Sequence, residues 1–321
     1  MQESAIELYS PQNDADIEAM HDLCAAAFAP RTSREFFADI IANDPCFDNT
    51  AHRRNVILLR KNGRVASGLV VFDRTQRFKS GDMRVGCIGS VATHPDFRGQ
   101  GLMRNVMEAA VSFMRSEGYA LSYLFGDQKL YERFGYRNIS AAYSRITVPA
   151  LNVSATIRPY VDDDLEHYAA IYAQYNSGRS GTIIRSREYF RRFVLGFRLR
   201  SPRFFTVIDG GHAAGYFHMR YDAQGIPFRI GEIAAADGKH EIVLLAALAY
   251  SKSLQAVELD ISGGNDIPAL LTTNGIAFTA GTRPEGMYLA LLPSSGIQST
   301  ESFIASVERD GDFTFYHADH F

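Results

Sequence analysis

The chain of 321 residues has no apolar run approaching the ~18 residues that span a bilayer. Its first residues carry no basic-then-apolar leader. Both absences point to a cytoplasmic protein with no membrane partner. A basic excess is also missing: 33 Lys and Arg against 36 Asp and Glu leave a net charge of −3. That balance argues against nucleic acid as a partner, so any phosphate must be held by local backbone geometry. Cysteine is scarce and odd in number, with Cys24, Cys46 and Cys87 far apart. Reduced, mostly buried thiols are expected, not a disulfide framework. No His, Cys or carboxylate cluster has ligand spacing. His317 and His320 stand three apart without further partners, so no metal is expected.

What is present is an apolar fraction of 46% and a length that suggests two domains. Helical periodicity covers 14–28, closed by Pro30, and 34–43, stopped by Asp44-Pro45. Strand-like runs over 55–60 and 64–73 flank Asn62-Gly63, a hairpin signal. A third strand covers Met83 to Thr93 and is rich in small residues: Gly86, Gly89, Ser90 and Ala92. A helix after Gly101 presents Leu102, Met103, Val106, Met107, Ala110, Phe113 and Met114 on one broad apolar face, its methionines serving the core. A strand over 120–125 precedes Leu130-Tyr131-Glu132-Arg133-Phe134-Gly135, a short helix capped by left-handed Gly135.

The same order returns in weaker form. A hairpin over 204–208 and 213–221 turns at Asp209-Gly210-Gly211. Strands follow over 228–235 and 256–261, with helices over 242–254 and 267–274, the last ending at Gly275. This reads as a duplicated fold, joined over 146–158. Its second turn, Asp237-Gly238-Lys239-His240, has one glycine and an acidic neighbour, and Leu271 stands where Tyr131 stands in the first half. One working site and one degenerate half are expected. The final segment carries a short helix over 302–308, a turn at Asp310-Gly311-Asp312 and an alternating, strand-like Phe313 to Tyr316. A tail this aromatic is expected to dock.

The richest stretch is Val91-Ala92-Thr93-His94-Pro95-Asp96-Phe97-Arg98-Gly99-Gln100-Gly101-Leu102-Met103-Arg104. A strand ends in a Pro-marked turn and runs into an amphipathic helix. A glycine turn opening a helix leaves backbone N–H groups unpaired, and the helix dipole adds positive potential. Such a place suits a pyrophosphate. His94, before Pro95 in that turn, is expected to face solvent, and Asp162-Asp163-Asp164 to cap and charge a helix start.

Arg98-Gly99-Gln100-Gly101, after a strand and before this helix, resembles the cofactor motif of the GCN5-related N-acetyltransferases (GNAT). With Leu130-Tyr131-Glu132-Arg133-Phe134-Gly135-Tyr136 and a degenerate second half, residues 1–290 resemble the Eis (enhanced intracellular survival) group. Two departures stand out: Met103 takes a position where the general family has Gly or Ala, and the chain is short for the sterol-carrier-like third domain of longer members.

The resemblance implies an α/β (α+β) fold of tandem GNAT-like domains, each a mixed sheet flanked by helices. They would be a catalytic domain over 1–148, a degenerate one over 149–295, and a tail over 296–321 docking near the active site. It implies acetyl-CoA as donor and a primary amine, small molecule or protein lysine, as acceptor, with direct transfer. Val91, Ala92 and Thr93 would pair with the pantetheine arm through their backbone. Arg98, Gly99, Gln100, Gly101, Leu102, Met103 and Arg104 would cradle the pyrophosphate, with Arg98 or Arg104 adding charge. Gly126 and Asp127 would line the other side. Tyr131 matches the family's proton donor to the departing sulfur. The Phe321 carboxylate would be the base, as the terminus is in the Eis-like group. Phe28, Phe36 and Phe37 are candidate walls of the acceptor pocket. A CoA-binding sensor without catalysis, or an aminoacyl or peptidyl transferase on paired halves, are the competing classes; homo-oligomeric assembly stays open.

Overall fold

A computed structural model describes residues 5–197, 203–222, 224–260, 266–292, 296–311 and 313–319. The expected strand end Ile261, turn residue Asp312, His320 and Phe321 lie outside the described residues.

The first half runs β1 (Ile6–Tyr9), α1 (Asp14–Phe28), α2 (Arg34–Asn43), β2 (Val56–Lys61), β3 (Arg64–Gln76), β4 (Met83–Thr93), α3 (Leu102–Ser116), β5 (Leu121–Leu124), α4 (Gln128–Tyr131) and β6 (Arg137–Thr147). The second half repeats that order: β7 (Thr156–Pro159), α5 (Leu165–Tyr175), α6 (Arg187–Tyr189, continued by a π-helical stretch Phe190–Phe197), β8 (Phe204–Asp209), β9 (His212–Tyr221), β10 (Pro227–Ala235), α7 (His240–Tyr250), β11 (Ala256–Asp260), α8 (Asp266–Thr273) and β12 (Phe278–Ala290). Helix α9 (Thr300–Asp310) and the tail follow.

Local chemistry explains these bounds. Asn13 and Ser33 cap α1 and α2 by accepting the N–H groups of Asp16 and Phe36. Asn62 and Gly63 turn the β2–β3 hairpin with φ of 51° and 78°, as a two-residue turn between twisted strands requires. The Asp162–Asp164 run does open α5, with Asp164 bound to Arg158 and accepting the Val161 N–H.

The described strands form one mixed sheet in the order β1-β2-β3-β4-β5-β12-β6-β11-β10-β9-β8-β7. The last strand of each half has crossed over. β12 pairs with β5 and β6 with β11, and the two exchanged strands run antiparallel at the centre. The expected joint therefore shrinks: Ile146 and Thr147 belong to β6, and Thr156 to Arg158 to β7. The strand expected at Phe313 to Tyr316 is absent. All four residues are buried in an irregular segment, because the alternating pattern is enclosed on both sides.

Residues alternate faces along a strand. In the first half Leu58, Val70 and Phe72 pack under α1 and α2, while Ile57, Leu59, Leu69 and Val71 pack under α3. Buried Met107 and Met114 of α3 complete that second layer. Gly86 lets α3 approach: a Cβ there would stand 2.2 Å from Met114 Sδ. This small residue of β4 thus makes room for the core. No helix among the described residues is long and apolar enough to cross a membrane.

Candidate active site

The site begins where two parallel strands part. β4 and β5 pair from Val85 and Leu121 to Ile88 and Leu124, and no further. Beyond Ile88, β4 continues to Thr93 with one edge open. Just there it bulges: Ser90 takes a left-handed φ of 52°, and the register against β3 slips between Gly68 and Val70. Cys24 of α1 reaches the bulge, its thiol 3.8 Å from the Ser90 carbonyl.

Register decides which backbone groups the open edge offers. The His94 N–H donates to the Ala66 carbonyl at 2.9 Å, so residues 92 and 94 turn toward β3 and residues 91 and 93 away from it. The Ala92 carbonyl also accepts the Ser67 hydroxyl at 2.9 Å. Val91 and Thr93 are thus presented to the edge, and Ala92 to β3.

The turn that follows is a bare anion cradle. Gly99 and Gly101 hold φ of 73° and 76°, and a Cβ on either would meet no atom within 4 Å. The α3 N-terminus has no side-chain cap. The Arg104 N–H is used by the Gly101 carbonyl at 2.9 Å. The N–H groups of Gly99, Gln100, Gly101, Leu102 and Met103 have no acceptor among the described residues. Consecutive free N–H groups in such a turn form a concave positive nest. Leu102 is buried and Met103 half-buried in the core beneath, so both contribute backbone only.

The charged neighbours divide the work. Arg98 donates to the Ala27 carbonyl at 2.8 Å and the Thr93 carbonyl at 3.4 Å, tying α1 to the turn. Arg104 is exposed and has no ion-pair partner among the described residues. Lys61, distant in sequence on β2, places Nζ 2.6 Å from Gln100 Oε1 and adds a cation at the rim. No local pattern around Lys61 announces this. His94 caps the turn, its Nδ1 accepting the Asp96 N–H at 3.2 Å.

Across the gap, Gly126 and Tyr131 are built for one another. Gly126 has φ of 149°, and a Cβ would stand 2.5 Å from the Tyr131 ring. Tyr131 is 7% exposed; its hydroxyl has no hydrogen-bond partner among the described residues and is not sealed from solvent. Burial, reinforced by the Asp127 carboxylate, pushes its pKa up to about 12. Asp127 caps α4 by accepting the Lys129 N–H at 2.9 Å and so shapes the helix that carries Tyr131. Tyr136 hydrogen-bonds Ser122 at 2.7 Å, and Ser122 donates to the Gly86 carbonyl at 3.0 Å, fixing β5 on β4.

Aromatic side chains line the α1 side. Phe28 packs on Phe37 at 5.3 Å and Phe36 on Phe37 at 5.5 Å between ring centroids. Phe125 meets Tyr123 at 4.9 Å and Phe315 of the tail at 5.4 Å. No local pattern in the sequence announces this stack. Phe321, expected to bring a carboxylate, lies outside the described residues. A separate cavity of about 400 Å³, lined by Asp44, Arg74, Arg84 and Tyr189, sits at the other end of β3 and β4 and is not part of this site.

The second half has the same turn with its charged side chains already paired. Lys239 binds Asp209 at 2.8 Å, His240 lies 3.0 Å from Asp266, and Leu271 is buried. Parallel strands that part, a glycine turn opening a helix between them, and a phenol beyond the second strand now stand together.

The chain carries the GNAT fold. Residues 9–139 match the family model described as an acetyltransferase (GNAT) domain. Among solved structures, a probable N-acyltransferase from Enterococcus faecalis superposes with a TM-score of 0.72 at 20% identity, over 92% of this chain and 75% of that one. A GCN5-related N-acetyltransferase from Kribbella flavida gives 0.68 at 14% identity, over 92% and 74%. Eis1 from Mycobacterium abscessus gives 0.64 at 15%, over 89% and 74%. No curated protein matches the sequence. At these identities the likeness is one of GNAT fold.

Proposed function

We propose that this chain is an acetyl-CoA-dependent N-acetyltransferase of the Eis-like kind, acting on a primary amine by direct transfer. The observation that carries the reading is the run of five N–H groups without acceptors at the start of α3, beside the open edge of β4. A helix start of this kind favours an anion by about 1 kcal/mol before any side chain contributes. Here it would hold the pyrophosphate, with Arg104 as the free cation. Val91 and Thr93 would extend the sheet to the pantetheine arm. When bound, acetyl-CoA supplies the activated acyl group.

The chain's own task is proton control. Tyr131, protonated at neutral pH as any phenol is and with its pKa raised further by burial, can donate a hydrogen bond to the charge developing on the departing sulfur. Phe28, Phe37 and Phe125 exclude water on the acceptor side. The second half, its cradle charges paired internally, acts as scaffold.

The test is thiol release from acetyl-CoA over a panel of amines. Tyr131→Phe is expected to lower kcat about 100-fold while acetyl-CoA affinity stays within about twofold. Binding of CoA without turnover on any amine would replace the reading with that of a sensor. Full activity of Tyr131→Phe would remove the assigned acid.

A further inference from the structure

A surface tail has no need of buried charge, yet Asp319 is 1% exposed. Arg185 holds it: Nε and Nη2 donate to the two Asp319 carboxylate oxygens, each at 2.9 Å. The same guanidinium donates from Nη1 and Nη2 to the two oxygens of Glu232 on β10, each at 2.8 Å. The Tyr216 hydroxyl donates to Glu232 at 2.8 Å, and the Tyr172 ring lies 4.0 Å from the guanidinium carbon. None of the three charged side chains reaches solvent. One cation buried with two carboxylates is a costly way to attach a tail, which apolar packing could do instead. What the doubly bidentate pairing adds is direction and register.

Three further contacts set the same segment. The Tyr316 hydroxyl donates to Asn176 Oδ1 at 2.8 Å, and the Thr314 N–H to the Ser180 carbonyl at 2.8 Å. Gly181, with φ of 88°, leaves room that a Cβ would close, since it would stand 2.5 Å from the Phe313 ring and 2.7 Å from the Thr314 carbonyl. The result is delivered at Phe315. Its ring packs 4.7 Å from Tyr123 and 5.4 Å from Phe125. Phe125 immediately precedes Gly126, on which the Tyr131 ring rests.

We propose that Arg185, Asp319 and Glu232 are positioning residues: they latch residues 313–319 so that Phe315 walls the acceptor side and fixes Phe125, Gly126 and, through them, Tyr131. This rests on the acyl-transfer reading above. The latch joins a strand of the second half to a catalytic segment of the first, which gives the second half a part in the reaction without a site of its own.

Asp319→Asn keeps the shape of the latch and removes one charge. Hydrogen exchange, which needs no substrate, is expected to speed up about tenfold over 313–319 and over 125–131, with α3 unchanged. The amine KM is expected to rise about tenfold while the acetyl-CoA KM stays within about twofold. Phe315→Leu, which keeps the latch and loses the ring, should raise the amine KM and loosen 125–131 without loosening 317–319. Faster exchange confined to the tail, with the amine KM unchanged in both variants, would reduce the tail to a seal and overturn the proposal; so would unchanged exchange in Asp319→Asn. Absence of turnover by the wild type on every amine would sink the acyl-transfer reading instead, and the exchange result would still decide the latch.

Discussion

At the scale of single residues, environment sets chemistry. Burial against a glycine raises the Tyr131 pKa to about 12, so its phenol keeps its proton beyond the range of a free tyrosine. His218 shows the same physics with the opposite sign. It is 1% exposed, stacked 4.9 Å from Phe204, and neither ring nitrogen has a partner among the described residues. Burial, with Arg220, Arg203 and Arg185 nearby, pushes its pKa from 6.5 to about 3. The folded state therefore holds the neutral ring while the unfolded chain takes up a proton below 6.5. This contribution to stability is full above 6.5 and is lost as pH falls toward 3, about 3–5 kcal/mol in all. Replacing His218 with Phe should flatten the denaturation midpoint between pH 6.5 and 4 relative to wild type. An unchanged acid slope would show that other groups set it.

At the scale of elements, the candidate site is the end of a strand, a turn and the start of a helix. Gly101 has open space around it, so its glycine answers to conformation alone. Gly101→Ala should cost about 1 kcal/mol in denaturant unfolding, and turning the N–H groups away should raise the acetyl-CoA KM. A stability loss with unchanged KM would remove the cradle from binding. Elements with local punctuation were legible in the sequence: α1 and α2 have caps and prolines, and the hairpin has Asn62-Gly63. β6 and β12 were not legible. β12 carries Gly281, Pro284 and Gly286, which hide its strand pattern, yet it lies mid-sheet. Pro284 is tolerated because the ladder slips between it and Gly286. Phe313 to Tyr316 erred the other way: alternation suggested a strand, and enclosure between the halves left no strand to pair with. Within the candidate site, the glycine turn and Tyr131 were readable from two short motifs, whereas Lys61 and Phe315 arrive from segments with no local signature.

At the scale of the whole molecule, strand exchange ties the halves together. Residues 1–148 alone would keep β6 but lose both its neighbours, β11 and β12, and β5 would lose β12. That fragment is expected to lack a cooperative thermal transition as a monomer. A monomeric 1–148 that melts cooperatively would show that the exchange is dispensable.

The sequence by itself determined the periodic elements, their repeated order, the glycine turn at the start of α3 and the phenol downstream. These depend on neighbours within a few residues, where backbone torsion and side-chain period dominate. Only the tertiary structure decided that the last strands trade places, that Ala92 faces β3 while Val91 and Thr93 face the gap, and that Asp319 closes on Arg185. Those outcomes join residues more than a hundred positions apart or hinge on a single-residue bulge, and short-range patterns carry neither kind of information.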